Sequence, residues 1–192
     1  MSEIVEDDRQ IRFERHRRAL YSLAVASPDP GCDPVALALE TLADVLEVGR
    51  VSFWIFVEGG AVLRCVDLFT AGDRRHAAGL ELAADRYPRY FAALDACLSV
   101  PADDAATDPR TAEFAVGYLD VLGIRSMLDV PVRRDGRARG VVCIESHRRR
   151  VWDSDEQTFA AAVAEWVASR LEAGDRARAE AGRRESEAKV QT

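Results

Sequence analysis

The chain has 192 residues, 48% of them hydrophobic and 31% charged, a balance that suits one globular domain with extensions and a buried core. A net charge of −7 argues against nucleic acid as a partner, because gripping phosphates takes a surplus of Lys and Arg on one face. The acidic start, MSEIVEDDRQ, lacks an apolar leader, and no run approaches the ~18 apolar residues of a membrane span, so a cytoplasmic chain without a membrane partner is expected.

In chain order, a loose stripe of Ile4, Ile11, His16, Ala19, Leu20 and Leu23 predicts a first helix over 4–26, whose interleaved Arg, Asp and Glu make a solvated outer face. Ser27 to Gly31 holds two prolines and a glycine and reads as a linker. Asp33 followed by Pro34 is a cap-then-proline start for a second helix, with Val35, Ala38, Leu39, Leu42, Val45 and Leu46 inward and Gly49 as its stop. Arg50 to Val57 and Ala61 to Phe69 are β-branched and aromatic runs separated by Glu58-Gly59-Gly60, a hairpin. Thr70 to Gly79 reads as a polar loop, Leu80 to Ala84 as a short strand, Tyr87 to Ala96 as a short helix and Leu98 to Val100 as a strand. After the acidic loop Asp103 to Asp108, Asp108-Pro109 starts another helix, with Phe114, Tyr118, Leu119 and Leu122 on its apolar side and Gly123 as its stop.

The last ribbon permits a register argument. Apolar residues match only if Leu128 and Val130 share a face with Val142 and Ile144. A two-residue Asp135-Gly136 turn would set Val130 opposite Val141, so a three-residue loop, Arg134 to Gly136, is preferred. That loop leaves Asp129 and Glu145 together on the opposite, more polar face with Met127 and Cys143. Asp153 and Glu156 have capping-box spacing and open a long helix with Phe159, Val163, Trp166, Val167 and Leu171 on one side. A sheet whose final strand feeds a helix leaving the domain suits sensing, since movement in the sheet can travel along that helix.

Residues 20–172 resemble a GAF domain, most specifically at Asp108 to Thr111, Leu122 to Ser126, Gly140 to Glu145 and Trp152 to Glu156. The resemblance implies an α+β sandwich: a central antiparallel sheet of about six strands, terminal helices on one face and pocket-covering helices on the other. It also implies a homodimer packed through the first and last helices, and an output domain or a partner kinase or cyclase. Residues 1–26 would be the dimerising helix, 27–172 the domain and 173–192 a helical extension. Positions matching Asp129 and Glu145 face the chromophore in the phytochrome branch. The Cys-His pair that holds a bilin and the Asn-Lys-Phe-Asp-Glu motif of cyclic-nucleotide-binding members are both missing, so no haem, bilin or metal is assigned and the cofactor is unknown.

The candidate ligand-binding residues are Tyr87, Tyr90, Phe91, Phe114, Tyr118, Met127, Asp129, Cys143 and Glu145, with Ile11, Leu20, Phe159, Val163 and Trp166 for the dimer interface. Each has a plainer alternative. The aromatic residues suit ordinary core, and the carboxylates could pair with Arg125 or Arg133. Cys143 and Cys65 suit small buried hydrophobes, His147 could be a haem ligand, and Arg148 to Arg150 suits a solvated turn. Cys32, Cys65, Cys97 and Cys143 form no CxxC, which suits neither a disulfide framework nor a zinc site. The function expected is non-catalytic sensing of an unidentified small molecule. The alternatives are a thiol-based reductase of free methionine sulfoxide and a ligand-free dimerisation scaffold.

Overall fold

A computed structural model describes residues 2–26 and 33–190. The linker at Ser27 to Gly31 and Cys32 therefore lie outside the described residues. The first helix, α1 (Ser2–Val25), is followed by α2 (Pro34–Leu46), where Asp33 Oδ1 accepts the Val35 amide at 2.9 Å and Pro34 takes the first helical position. The helix stops earlier than expected. Glu47, at φ +54, turns the chain, and Gly49 serves closeness instead, since a Cβ there would sit 2.4 Å from the His147 ring.

The sheet has seven strands: β1 (Arg50–Val57), β2 (Val62–Thr70), β3 (Arg75–Ala77), β4 (Glu81–Ala83), β5 (Val100–Ala102), β6 (Ser126–Arg134) and β7 (Arg137–Ser146). Their order is β3-β2-β1-β7-β6-β5, with β4 also pairing β2, and every pairing is antiparallel. Two expectations are corrected here. The polar loop after β2 contains β3, whose residues are all exposed and so carry no apolar alternation. The strand expected at Leu98 to Val100 begins at Val100, and Leu98 is solvent-exposed.

The register of β6 and β7 is the expected one, with Leu128 opposite Ile144 and Val130 opposite Val142, but the loop that produces it is different. Asp135 (φ +50) and Gly136 (φ +75) form a two-residue turn with both centres left-handed. A bulge then shifts the pairing, so that Arg133 faces Ala138 while Val132 faces Gly140, leaving Arg139 over. That extra residue restores the match between faces.

Two cores result, one on each side of the sheet. On one side Val51, Phe53, Leu128, Val130, Val142 and Ile144 pack against Leu39 and Leu42 of α2 and against Phe159, Val163 and Val167 of α5 (Ser154–Val190). The capping box forms as expected, Asp153 Oδ1 accepting the Glu156 amide at 2.9 Å and Glu156 Oε2 accepting the Asp153 amide at 3.3 Å. On the other side lie α3 (Pro88–Ala96) and residues 112–122. The single helix expected after Asp108 is broken into a tight turn at Ala112–Phe114, a wide turn at Ala115–Leu119 and α4 (Asp120–Leu122), because Val116 is extended and Gly117 sits at φ +88. No described helix is long and apolar enough to cross a membrane.

The expected dimer residues do not share an outward face. Phe159 and Val163 are buried within the protomer, and Phe159 stacks on the His16 ring with centroids 4.5 Å apart. Leu20 and Trp166 are half-buried against the same core, and Ile11 is exposed.

Candidate functional site

Strand alternation sends Met127 and Asp129 of β6, and Val141, Cys143 and Glu145 of β7, to the face opposite the helical bundle. Strand β1 adds Arg50 directly across from Glu145, Ser52 across from Cys143 and Trp54 across from Val141. Five polar or ionisable side chains, Arg50, Ser52, Asp129, Cys143 and Glu145, thus sit among apolar ones under α3.

Glu145 is satisfied. Arg50 Nε donates to its Oε2 at 2.8 Å, and the Tyr118 hydroxyl donates to Oε1 at 2.7 Å. The pairing with Arg125 or Arg133 weighed from the sequence is not the one formed. Arg50 takes that place, and Arg133 instead donates to the carbonyls of Leu94, Asp95 and Cys97 at the end of α3. Burial and the neighbouring Glu145 charge push the Tyr118 hydroxyl far above its ordinary pKa, so it stays a donor.

Asp129 is not satisfied. It is fully buried and neither carboxylate oxygen has a hydrogen-bond partner. Burial pushes its pKa from 3.8 up to about 7, the Glu145 charge adding to it, while the Tyr90 hydroxyl and Cys143 thiol beside it pull the other way without reaching hydrogen-bond geometry. Beside it the Tyr90 hydroxyl and Cys143 Sγ share a contact of 3.4 Å. Burial and the Asp129 charge hold the Cys143 thiol well above its usual range, and burial pushes Cys65 up to about 12.

The aromatic set forms one layer over this floor. Phe114 stacks on Tyr87 with centroids 4.4 Å apart, meets Tyr90 edge-on at 4.8 Å and lies 5.8 Å from Tyr118. Phe91 stands edge-on to Phe56 of β1 at 5.8 Å. Tyr90, Phe114, Met127 and Cys143 are buried, while Tyr87, Phe91 and Tyr118 remain half-exposed. The floor is therefore covered by rings rather than open to solvent.

Sequence reasoning missed the residues that hold this cover in place. Glu113 accepts the Arg89 and Tyr90 amides at 3.1 Å, capping the start of α3 from the neighbouring segment, and Arg133 takes its last carbonyls. Both charges suit the helix dipole at the ends they occupy. Neither pairing is local, so spacing along the chain holds no signal for it. Cys65, Cys97 and Cys143 are free thiols, and among the described residues no group of three His, Cys, Asp or Glu side chains is placed to hold a metal ion.

The antiparallel sheet between a helical bundle and a ring-lined cover defines an α+β sandwich with a recessed polar floor. The GAF domain family profile matches residues 35–171, and the chain belongs to that family. Solved structures share the fold at low identity. The GAF domain of a phosphoenolpyruvate-protein phosphotransferase from Coxiella burnetii aligns with a TM-score of 0.65 and 16% identity, over 88% of this chain and 96% of that one. The chromophore-binding domain of an unusual bacteriophytochrome from R. palustris aligns at 0.66 and 13%, over 86% and 62%. A free methionine-R-sulfoxide reductase from Neisseria meningitidis, solved with its substrate, aligns at 0.65 and 18%, over 86% and 91%. No curated protein matches the sequence.

Proposed function

We propose that the chain is a non-catalytic regulatory module of bacterial signal transduction, acting in the cytoplasm as a homodimer. It senses a small molecule between the sheet and α3 and relays the bound state along α5. Asp129 carries this reading. A carboxylate buried with both oxygens unpartnered costs free energy that an arriving N–H or O–H donor offsets. To reach it a ligand displaces the Tyr90 and Phe114 rings, so binding selects a state in which the cover has shifted. The relay has a direct route, because Cys143 and Glu145 face the floor while Val142 and Ile144, on the same strand, press on the bundle that includes α5. For pairing, Ile11, Tyr21 and Val25 are exposed and fall on one side of α1, and they replace Phe159 and Val163 as the apolar surface offered to a second copy.

Native mass spectrometry, backed by thermal shifts against a panel of amines, amides and alcohols, tests the sensing role. A bound mass or a stabilising compound in the wild type, lost in Asp129→Asn, supports it. A bare mass together with no stabilisation by any compound overturns it.

The reductase alternative needs a nucleophilic thiolate, and burial holds both Cys143 and Cys65 in the protonated form. The scaffold alternative is favoured by one observation, the ring layer that fills the cover. Its signature is the bare mass on a protein that remains dimeric by light scattering.

A further inference from the structure

A second recess lies just past Glu145, at the end of β7 where the chain leaves the sheet for α5. It has a volume of about 640 Å³ and is lined by Arg12 and Arg15 of α1, the end of α2, and His147, Arg148, Arg149 and Arg150. Its size falls within the ~300–1,000 Å³ of small-molecule sites. Five arginines face three carboxylates, Glu47, Asp153 and Glu156, leaving two positive charges in the recess of a chain whose net charge is −7.

The carboxylates are already engaged. Glu47 pairs with Arg15 at 2.6 Å, Glu156 pairs with Arg150 and closes the capping box, and Asp153 accepts the Asp155 and Glu156 amides. Arg149 reaches out to Asp104 at 2.8 Å. Two guanidinium groups are left with donors to spare. Arg12 approaches Asp153 only at 3.5 Å, and Arg148 has no ion pair among the described residues. Arginine stays charged at any physiological pH, and its fork matches phosphate oxygens two at a time.

We infer that this recess binds a phosphoryl-bearing anion of small-molecule size, gripped by Arg12 and Arg148, with Arg15 and Arg150 at its edges. Arg150 connects the recess to the rest of the fold. It donates to the Leu46 carbonyl at the end of α2 at 2.7 Å, pairs with Glu156 at the start of α5, and lies 4.4 Å over the Trp152 ring. An anion here competes with Glu156 for Arg150, so its arrival is felt at the cap of the exit helix. The site is separate from the Asp129 floor, and either can fail without the other.

Calorimetric titration of the full chain with inorganic pyrophosphate at low ionic strength tests this. The expected result is saturable binding that Arg12→Ala and Arg148→Ala each weaken about ten-fold, the loss of one charge-assisted contact. Arg64→Ala, an exposed pair with Glu81 on β2 and β4, should leave it unchanged. Circular dichroism melts establish that each variant is folded. No saturable heat from the wild type, equal binding by the two recess variants, or equal weakening by Arg64→Ala overturns the assignment. Sedimentation with vesicles of phosphatidylcholine and phosphatidic acid separates a free phosphate ligand from a lipid headgroup. The chain should stay in solution, and co-sedimentation lost in Arg148→Ala would overturn the soluble ligand.

Discussion

The two faces of the sheet are cut from the same strands by the same alternation, yet they are built differently. Toward α2 and α5 the strands contribute Val51, Phe53, Leu128, Val130, Val142 and Ile144, all buried and all apolar. Toward α3 the neighbouring positions contribute Arg50, Asp129, Cys143 and Glu145, with an aromatic layer above them. The first face is ordinary core, where burial adds stability in proportion to area. On the second, burial works against the charges it encloses, and stability is spent on groups a ligand can use. The bundle face should therefore be stiff and indifferent to pH, and the floor face responsive to it.

The sharpest break is on the bundle face. Leu42→Ala should cost about 2–5 kcal/mol, by the loss of a fully buried aliphatic side chain, with the same urea midpoint shift at every pH. Asp129→Asn tests the floor in the opposite sense. The folded carboxyl titrates near 7 and the unfolded one near 3.8, so the native state holds the extra proton between those values and stability falls as pH rises through that window. That three-unit gap is roughly 4 kcal/mol by pH 8. Denaturation of wild type and variant at pH 4, 6 and 8 should give a difference that moves toward the variant by that amount, and a pH-independent difference would remove the charged-floor account. Arg50→Ala should cost about 3 kcal/mol, because Glu145 is left buried beside Tyr118 alone, and adding Glu145→Gln should recover part of it. Glu113→Ala removes the cap on α3 and should lower stability by about 1 kcal/mol, while hydrogen exchange at the Arg89 and Tyr90 amides quickens. Last, Tyr21→Asp with Val25→Asp should lower the mass in light scattering from dimer to monomer, and an unchanged mass would leave this side of α1 out of the pairing surface.

The sequence showed most clearly what is encoded locally. Caps at Asp33 and Asp153, the Gly123 stop and the alternation of the final ribbon are written within a few residues, and each is where it was expected. The helix after Asp108 failed because Val116 and Gly117 leave helical geometry in mid-run, and a lone glycine does not announce that break. Strand β3 escaped because an exposed edge strand of three residues has no inside to mark. For the site, Asp129 and Glu145 could be set on one face from parity alone. Their environments could not be told apart, since Arg50 meets Glu145 through a pairing 95 residues apart, and Asp129 is distinguished only by the partners it lacks.

The surplus residue in the last hairpin has a consequence for insertions and deletions. Arg139 has no counterpart on β6, so removing it straightens the ladder and leaves Gly140 opposite Val132 and every later pair unchanged. Removing any single residue from Val141 to Glu145 forces the residues upstream of the gap to slip by one, turning oil-facing groups toward the floor and floor groups toward oil. A deletion scan across this ribbon should find one tolerated position, and natural length variation here should collect at that same place.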